Sequence, residues 1–258
     1  MAVKDLSPMS LANRRAFRLL AAGVVLSLGA FSLSSASAAQ GELDAPRADA
    51  PAMAAGLKAS YFVRNTVSRI AKLGSQLATG EGRFDGTVDS VKETLTGSIT
   101  LPPTVNAYFV AFRFMPVTST VSLVSEGDQH GVLVKNPGDA GVVAPRVFPD
   151  GKKYLSVIID LTLNLGLRLS DTKVDGKVLD LGPNCKTAGP LTIKVRGLTG
   201  LQDTAPPTVL TSSFEIPPFT GCGVREDLDK LLTGMISGPG NEMSTTIAVR
   251  CISTCPEG

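Results

Sequence analysis

The chain has 258 residues, 25 of them Lys or Arg against 23 Asp or Glu, with a single His, four Cys and no Trp. A formal charge of +2 leaves no basic surplus to drive counterion release from a nucleic acid, so no nucleic-acid partner is expected. Without tryptophan, and with only Tyr61, Tyr108 and Tyr154, the chain is also poor in the flat aromatic platforms that sugar-binding sites use.

The first forty residues carry a compartment signal. MAVKDLSPMSLANRRAFRLL places Lys4, Arg14, Arg15 and Arg18 ahead of the uncharged run AAGVVLSLGAFSLSSASAA, which contains the small-residue pattern Ala36-Ser37-Ala38. That is the layout of a secretory signal peptide over residues 1–38, cut before Ala39. Glycine and serines interrupt the apolar run and no second one follows, so the mature chain is expected to hold no transmembrane segment and to work outside the cytoplasm. Asn13-Arg14-Arg15-Ala16-Phe17 carries part of a twin-arginine signal, but Arg18 stands where such signals prefer an apolar residue, which favours the general secretory route. Cleavage would remove four basic residues and one acidic, leaving 21 against 22, so the basic excess belongs to the leader. Residues 39–57, AQGELDAPRADAPAMAAGL, are rich in alanine and proline without apolar periodicity and read as a flexible tether.

Beyond the tether the dominant period is two. Short alternating runs fall at Tyr61 to Val67, Ser98 to Leu101, Val117 to Leu123, Gly131 to Val134, Leu191 to Val195 and Thr245 to Val249. The stretch YFVAFRFM, residues 108–115, is apolar in both parities: Tyr108, Val110, Phe112 and Phe114 on one face, Phe109, Ala111, Arg113 and Met115 on the other. As one strand it would be covered on both faces, as a central core strand or as the wall of an apolar ligand site formed by Tyr108, Phe109, Phe112, Phe114 and Met115. Glu126 to His130 reads as a polar turn, and residues 136–153, rich in glycine and proline, as a long loop.

The longest alternation follows. Leu155, Val157, Ile159, Leu161, Leu163, Leu165, Leu167 and Leu169 share one parity, which a strand would gather on one face and a helix would scatter. Sixteen extended residues span roughly 50 Å, so a bend or break is expected at Gly166. Asp175-Gly176 then suits a tight hairpin turn. The fold class is all-β, a sandwich or barrel. An internal echo, Gly97-Ser98-Ile99-Thr100-Leu101-Pro102-Pro103-Thr104 against Ser212-Ser213-Phe214-Glu215-Ile216-Pro217-Pro218-Phe219, leaves open whether residues 58–147 and 148–258 are similar β halves or share only a common way of ending a strand with prolines.

Four cysteines in an exported chain are expected to pair, since four zinc ligands would come as two close pairs and only Cys251 and Cys255 are close. Of the three connectivities, Cys185 with Cys222 and Cys251 with Cys255 is favoured, because Cys185 and Cys222 both sit in Gly/Pro turns at strand ends. Arg225 to Thr233 reads as a short helix with Val224, Leu228, Leu231 and Leu232 on one face, Glu226 and Asp227 at its N-terminus and Gly234 ending it. The acidic cluster is thereby read as helix-end electrostatics rather than a metal site.

The phrases IAKLGSQLATGEG, TGSITLPPT, LDLGPNCKTAGPLTIKVRG, SSFEIPPFTGCG and SGPGN together resemble a set of secreted actinobacterial proteins over most of residues 58–249. The resemblance implies an exported β-rich protein and carries over no functional residue; the Cys251 to Cys255 tail falls outside it. Catalytic motifs are missing: no G-x-S-x-G elbow, P-loop or H-E-x-x-H occurs, and the Gly-x-Gly pieces at Gly80, Gly221 and Gly238 lack a third glycine. A serine triad would depend on His130 in a polar turn, and a glycosidase reading on Asp160, beside Asn164 on a strand's polar face, without an identifiable partner carboxylate. No enzyme, cofactor or metal is therefore expected. The leading reading is a non-catalytic binding or envelope-associated module for an apolar small molecule or envelope lipid; a structural or adhesive surface protein and a secreted hydrolase are the alternatives. N-terminal sequencing of exported protein is expected to begin near Ala39; finding Met1 still attached would refute the leader.

Overall fold

A computed structural model describes residues 56–255, so residues 1–38, read as a signal peptide, most of residues 39–57, read as a tether, and the last three residues lie outside the described residues. The chain enters a strand at Leu57, which corrects the tether's end by one residue. Four strands come first: β1 (Leu57–Ile70), β2 (Ser75–Thr79), β3 (Gly82–Asp89) and β4 (Thr94–Thr100). β5 (Thr104–Ala111) and β6 (Met115–Ser125) form a hairpin, followed by β7 (Gln129–Val134), β8 (Ala144–Val147) and the 22-residue β9 (Lys153–Val174). β10 (Lys177–Val178), β11 (Lys186–Thr187), β12 (Leu191–Gly200), β13 (Thr208–Ile216) and β14 (Phe219–Thr220) lead to a helix, α1 (Asp229–Ile236), and to β15 (Gly238–Ile252).

The fold is all-β: fifteen strands make one antiparallel sheet. Eight of them follow one another round it in chain order, β1, β3, β4, β7, β9, β12, β13 and β15, and β15 returns to pair with β1. Only between β12 and β13 is the ladder missing. There Thr208 Oγ1 donates to the Leu198 carbonyl at 2.8 Å and Ser212 Oγ to the Lys194 carbonyl at 2.6 Å, so hydroxyls take over bonds that backbone amides would make. The barrel is therefore open along one seam. Leu210 fills it, and a Cβ on Gly197 would lie 2.2 Å from the Leu210 Cδ2.

The eight strands divide into two sets of four with the same neighbour order, β1-β3-β4-β7 and β9-β12-β13-β15. The third strand of each set, β4 or β13, runs into a proline pair, Pro102-Pro103 or Pro217-Pro218, and the chain then makes an excursion before the fourth. The excursion is the β5–β6 hairpin in the first set and β14 with α1 in the second. The echoed segments thus stand at equivalent places in one sheet.

β9 joins the sets. Its odd-numbered residues from Val157 to Leu169 are all buried, as the alternation requires. The expected interruption at Gly166 does not occur: the strand runs through it, and the exposed Glu126 side chain lies over the glycine, its Oε1 2.5 Å from where a Cβ would sit. What changes near Gly166 is the company. β7 and β12 flank β9 up to Leu165, and β6, β11 and β10 flank it beyond. The irregularity falls later, at Asp171, whose φ of 49° shifts the register against β6.

Two further expectations are corrected. YFVAFRFM is not one doubly covered strand, because β5 stops at Ala111 and Phe112, Arg113 and Phe114 form the turn into β6. Phe109 is buried, whereas Tyr108, Phe112 and Phe114 are exposed. The helix lies at Asp229–Ile236 rather than at Arg225 to Thr233, and Gly234 is inside it. It buries Leu232 and Ile236, leaving Val224 outside the helix and exposed. Residues 222–228 instead form a tight loop in which Gly223 NH donates to the Leu181 carbonyl and Leu228 NH to the Cys222 carbonyl.

Both expected disulfides are present, Cys185–Cys222 and Cys251–Cys255. Cys222 is structural: it is buried, flanked by Gly221 and Gly223 at positive φ, and its backbone NH donates to Asp229 Oδ1 at 2.7 Å. Asp229, in the first turn of α1, therefore ties the helix to the bridge. Replacing Cys185 and Cys222 together by serine is expected to lower unfolding free energy by about 3 to 4 kcal/mol in urea titrations, the entropy of a loop of this length. A native-like midpoint in the double variant would show the bridge to be dispensable.

Candidate functional site

The inward parity of the eight barrel strands is almost wholly apolar, and it encloses a cavity of about 70 Å³. β9 supplies its longest side, Val157 to Leu165; Val63 from β1, Leu95 from β4, Val195 from β12 and Leu210 from β13 face it across the barrel. Phe84 closes one side by lying over the Gly86–Gly97 pair. A Cβ on either glycine would come within 2.9 Å of its ring, so the two glycines are what let the ring lie flat against the wall.

Four polar side chains reach the cavity lining, and none is charged. Thr66 and Thr245 hydrogen-bond each other at 2.7 Å, and Thr245 Oγ1 also donates to the Arg64 carbonyl. Tyr61 Oη donates to the Gly200 carbonyl at 3.1 Å; Thr199 is the fourth. A single water needs about 10 to 15 Å³ on this scale, so the space has room for several, yet its walls offer them few free partners. The interior suits an apolar occupant, and the polar groups on its lining are hydroxyls alone.

Two further cavities continue along β9. One of about 50 Å³ is lined by Leu167 and Leu169 together with Ile70, Val121 and Ile236. The next, of about 100 Å³, lies among Leu169, Thr172 and Val174, Met115, Phe112 and the α1 residues Leu231, Leu232 and Met235. Phe109 and Leu169 belong to both linings. One face of one strand therefore carries three apolar spaces in series.

The five aromatic and methionine residues expected to form an apolar wall are divided among these spaces. Phe109, Phe112 and Met115 meet at the third cavity and Tyr108 touches the second, while Phe114 lines none and faces solvent. The main cavity escaped the sequence reading. The alternation marks its β9 residues as an inward row, but alternation is the same for a row that packs solidly and for one that borders a void. His130 is exposed on β7, opposite Thr162, and Asp160 lies opposite Val132 and Arg196 on the outer side of the barrel. Thr192 Oγ1 donates to Asn164 Oδ1 on that side. Among the described residues no cluster of three His, Cys, Asp or Glu could hold a metal ion.

Burial pushes the Tyr61 phenol well above its ordinary value, with the Thr199 side chain offsetting part of the effect. The native state thus holds this proton at pH values where the unfolded chain, with a tyrosine near 10.0, releases it. Stability is accordingly lost as pH rises past 10.0. Tyr61→Phe should cost about 1 kcal/mol at pH 7 through the lost bond to Gly200. In urea melts the gap should close as pH rises past about 10; a gap that stays constant would contradict the buried, neutral phenol.

No family model matches the chain, and no curated protein or solved structure was found to be similar to it.

Proposed function

We propose that the protein is an exported, non-catalytic binding module that takes up an apolar small molecule, such as an envelope lipid, inside its barrel. The observation that carries this reading is the barrel cavity, whose lining has no charged residue and whose tyrosine and paired threonines are spent on one another or on backbone. Pockets that hold small molecules are concave and mostly apolar, and small barrels are a common place for them. An enzyme working in this space would need a group that moves a proton or forms a bond. The lining offers only the hydroxyls of Tyr61, Thr66, Thr199 and Thr245, with no carboxylate, amine, imidazole or thiol beside them, which favours binding over catalysis.

Two disulfides suit an oxidising compartment outside the cytoplasm. Among the described residues no helix is long and apolar enough to cross a membrane, a statement that concerns helices alone. Both points accord with the leader read at residues 1–38.

The test is direct. Protein expressed from the full-length chain, recovered after export from its own host, is examined by native mass spectrometry for a co-purifying apolar mass and is titrated with the fluorescent fatty acid cis-parinaric acid. Uptake is expected. Val195→Phe, which fills the cavity from β12, should weaken uptake at least tenfold while keeping the melting temperature within a few degrees. A protein that carries no apolar mass and takes up no probe would end this reading, as would a well-folded Val195→Phe that binds as the parent does.

A further inference from the structure

The outer end of the β5–β6 hairpin carries chemistry that the barrel cavity does not use. Ala111 to Phe114 is a tight turn closed by the Phe114 NH donating to the Ala111 carbonyl at 3.2 Å. Its two central residues, Phe112 and Arg113, have φ of 52° and 69°. Turns with both central φ positive favour Asn-Gly or Asp-Gly, because a bulky side chain there crowds the backbone. The neighbouring turn between β9 and β10 obeys that preference with Asp175-Gly176. A phenylalanine and an arginine held in this conformation at an exposed tip are costly for folding, and such strain is retained where the side chains are used.

The surroundings indicate the use. Across β5, β6, β9 and β10, Tyr108 stands opposite Thr118, Thr118 opposite Lys173 and Lys173 opposite Val178, so Tyr108, Lys173 and Val178 emerge on one face of the ribbon. The Asp175 NH donates to the Pro116 carbonyl and joins the two turns into one end. This end presents Tyr108, Phe112, Phe114 and Val178, which are 61%, 53%, 76% and 76% exposed. Beside them are the cations Arg113, Lys173 and Lys177, against the carboxylates Asp175 at the turn and Asp171 further down β9. The helix α1, which borders the third cavity together with Phe112, adds the exposed pair Lys230 and Leu231, the latter part of the cavity lining.

We propose that this end docks on an anionic lipid surface, with Phe112 and Phe114 entering the interface and Arg113, Lys173 and Lys177 resting among the phosphates. Size argues for lipid over protein. The three exposed rings offer on the order of 400 Å², about half of what one partner contributes to a stable protein interface. Aromatic side chains at headgroup depth flanked by Lys and Arg are the usual composition of an interfacial anchor, and each cation near an anionic surface adds to the attraction. Charge complementarity thus selects anionic over zwitterionic lipid. The inference stands on the exposed tip and does not depend on what the barrel holds.

Flotation of protein expressed from the full-length chain with phosphatidylglycerol-containing and pure phosphatidylcholine vesicles tests it, alongside Phe112→Ser/Phe114→Ser and Arg113→Glu. Because these side chains are exposed, both variants should keep the parent's melting temperature. The parent should float with the anionic vesicles and at least tenfold less with the zwitterionic ones; the double variant should lose at least tenfold, and Arg113→Glu should lose more at low salt than at high. Absence of flotation with either vesicle, or flotation unchanged by the double variant, would overturn the proposal. So would a concentration-dependent mass in light scattering that the double variant abolishes without any vesicle binding, since the tip would then meet a second copy.

Discussion

The fold depends on a single mismatch of length: β9 is longer than the barrel it crosses. Twenty-two extended residues reach about 70 Å, whereas its barrel neighbour β12 pairs with it only from Ser156 to Leu165. The inward leucines continue past that point, and Leu167 and Leu169 would meet water if nothing covered them. β6, the end of β1 with β2, and α1 supply the cover. The second and third cavities are the imperfect fit between that cover and the strand.

The excursions after the proline pairs therefore have a physical reason. Proline cannot donate to a ladder, so β4 and β13 must stop, and the chain leaves the barrel at the level where β9 and β1 outrun it. In the first set it returns as a hairpin whose second strand runs on into β7 along the same edge of β9. Between them Gln129, fully buried, accepts from the Asn164 NH and donates to the Ser125 hydroxyl and the Gly127 carbonyl, satisfying backbone that the break in the ladder leaves bare. In the second set Asn241 does similar work, accepting from the Ala71 NH and donating to the Phe214 and Gly238 carbonyls. Two buried amides thus stitch the excursions to the sheet, each with enough hydrogen bonds to offset its burial.

Sequence was most informative where one physical rule acted alone. The leucine parity of β9, the Asp175-Gly176 turn and the Cys185–Cys222 bridge could be read because alternation, left-handed turn chemistry and an oxidising compartment each leave one dominant outcome. It failed where rules competed. YFVAFRFM has the composition of a buried strand, and nothing in its composition signals a turn, because Phe112 and Arg113 occupy positions that local preference assigns to Asn and Gly. The helix was misplaced by about one turn because Val224 and Leu228 match the helical period, while the bonds from Gly223 NH to Leu181 and from Leu228 NH to Cys222 hold that stretch as a loop. The barrel cavity had no sequence signal at all, since a void is a property of how the rows meet.

The seam between β12 and β13 connects the incomplete closure of the sheet to its interior. A ladder there would need the two backbones at the usual spacing of about 4.8 Å. Leu210 projects toward Gly197, and even with no side chain on the glycine the strands keep a pair of hydroxyl bonds in place of amide ones. The same Leu210, with Val195 two residues before Gly197, lines the main cavity. The one wall of the barrel without a backbone ladder is thus also a wall of the cavity that the barrel strands enclose. Side-chain bonds there can be exchanged without unpairing a strand, whereas every other wall would have to give up ladder bonds.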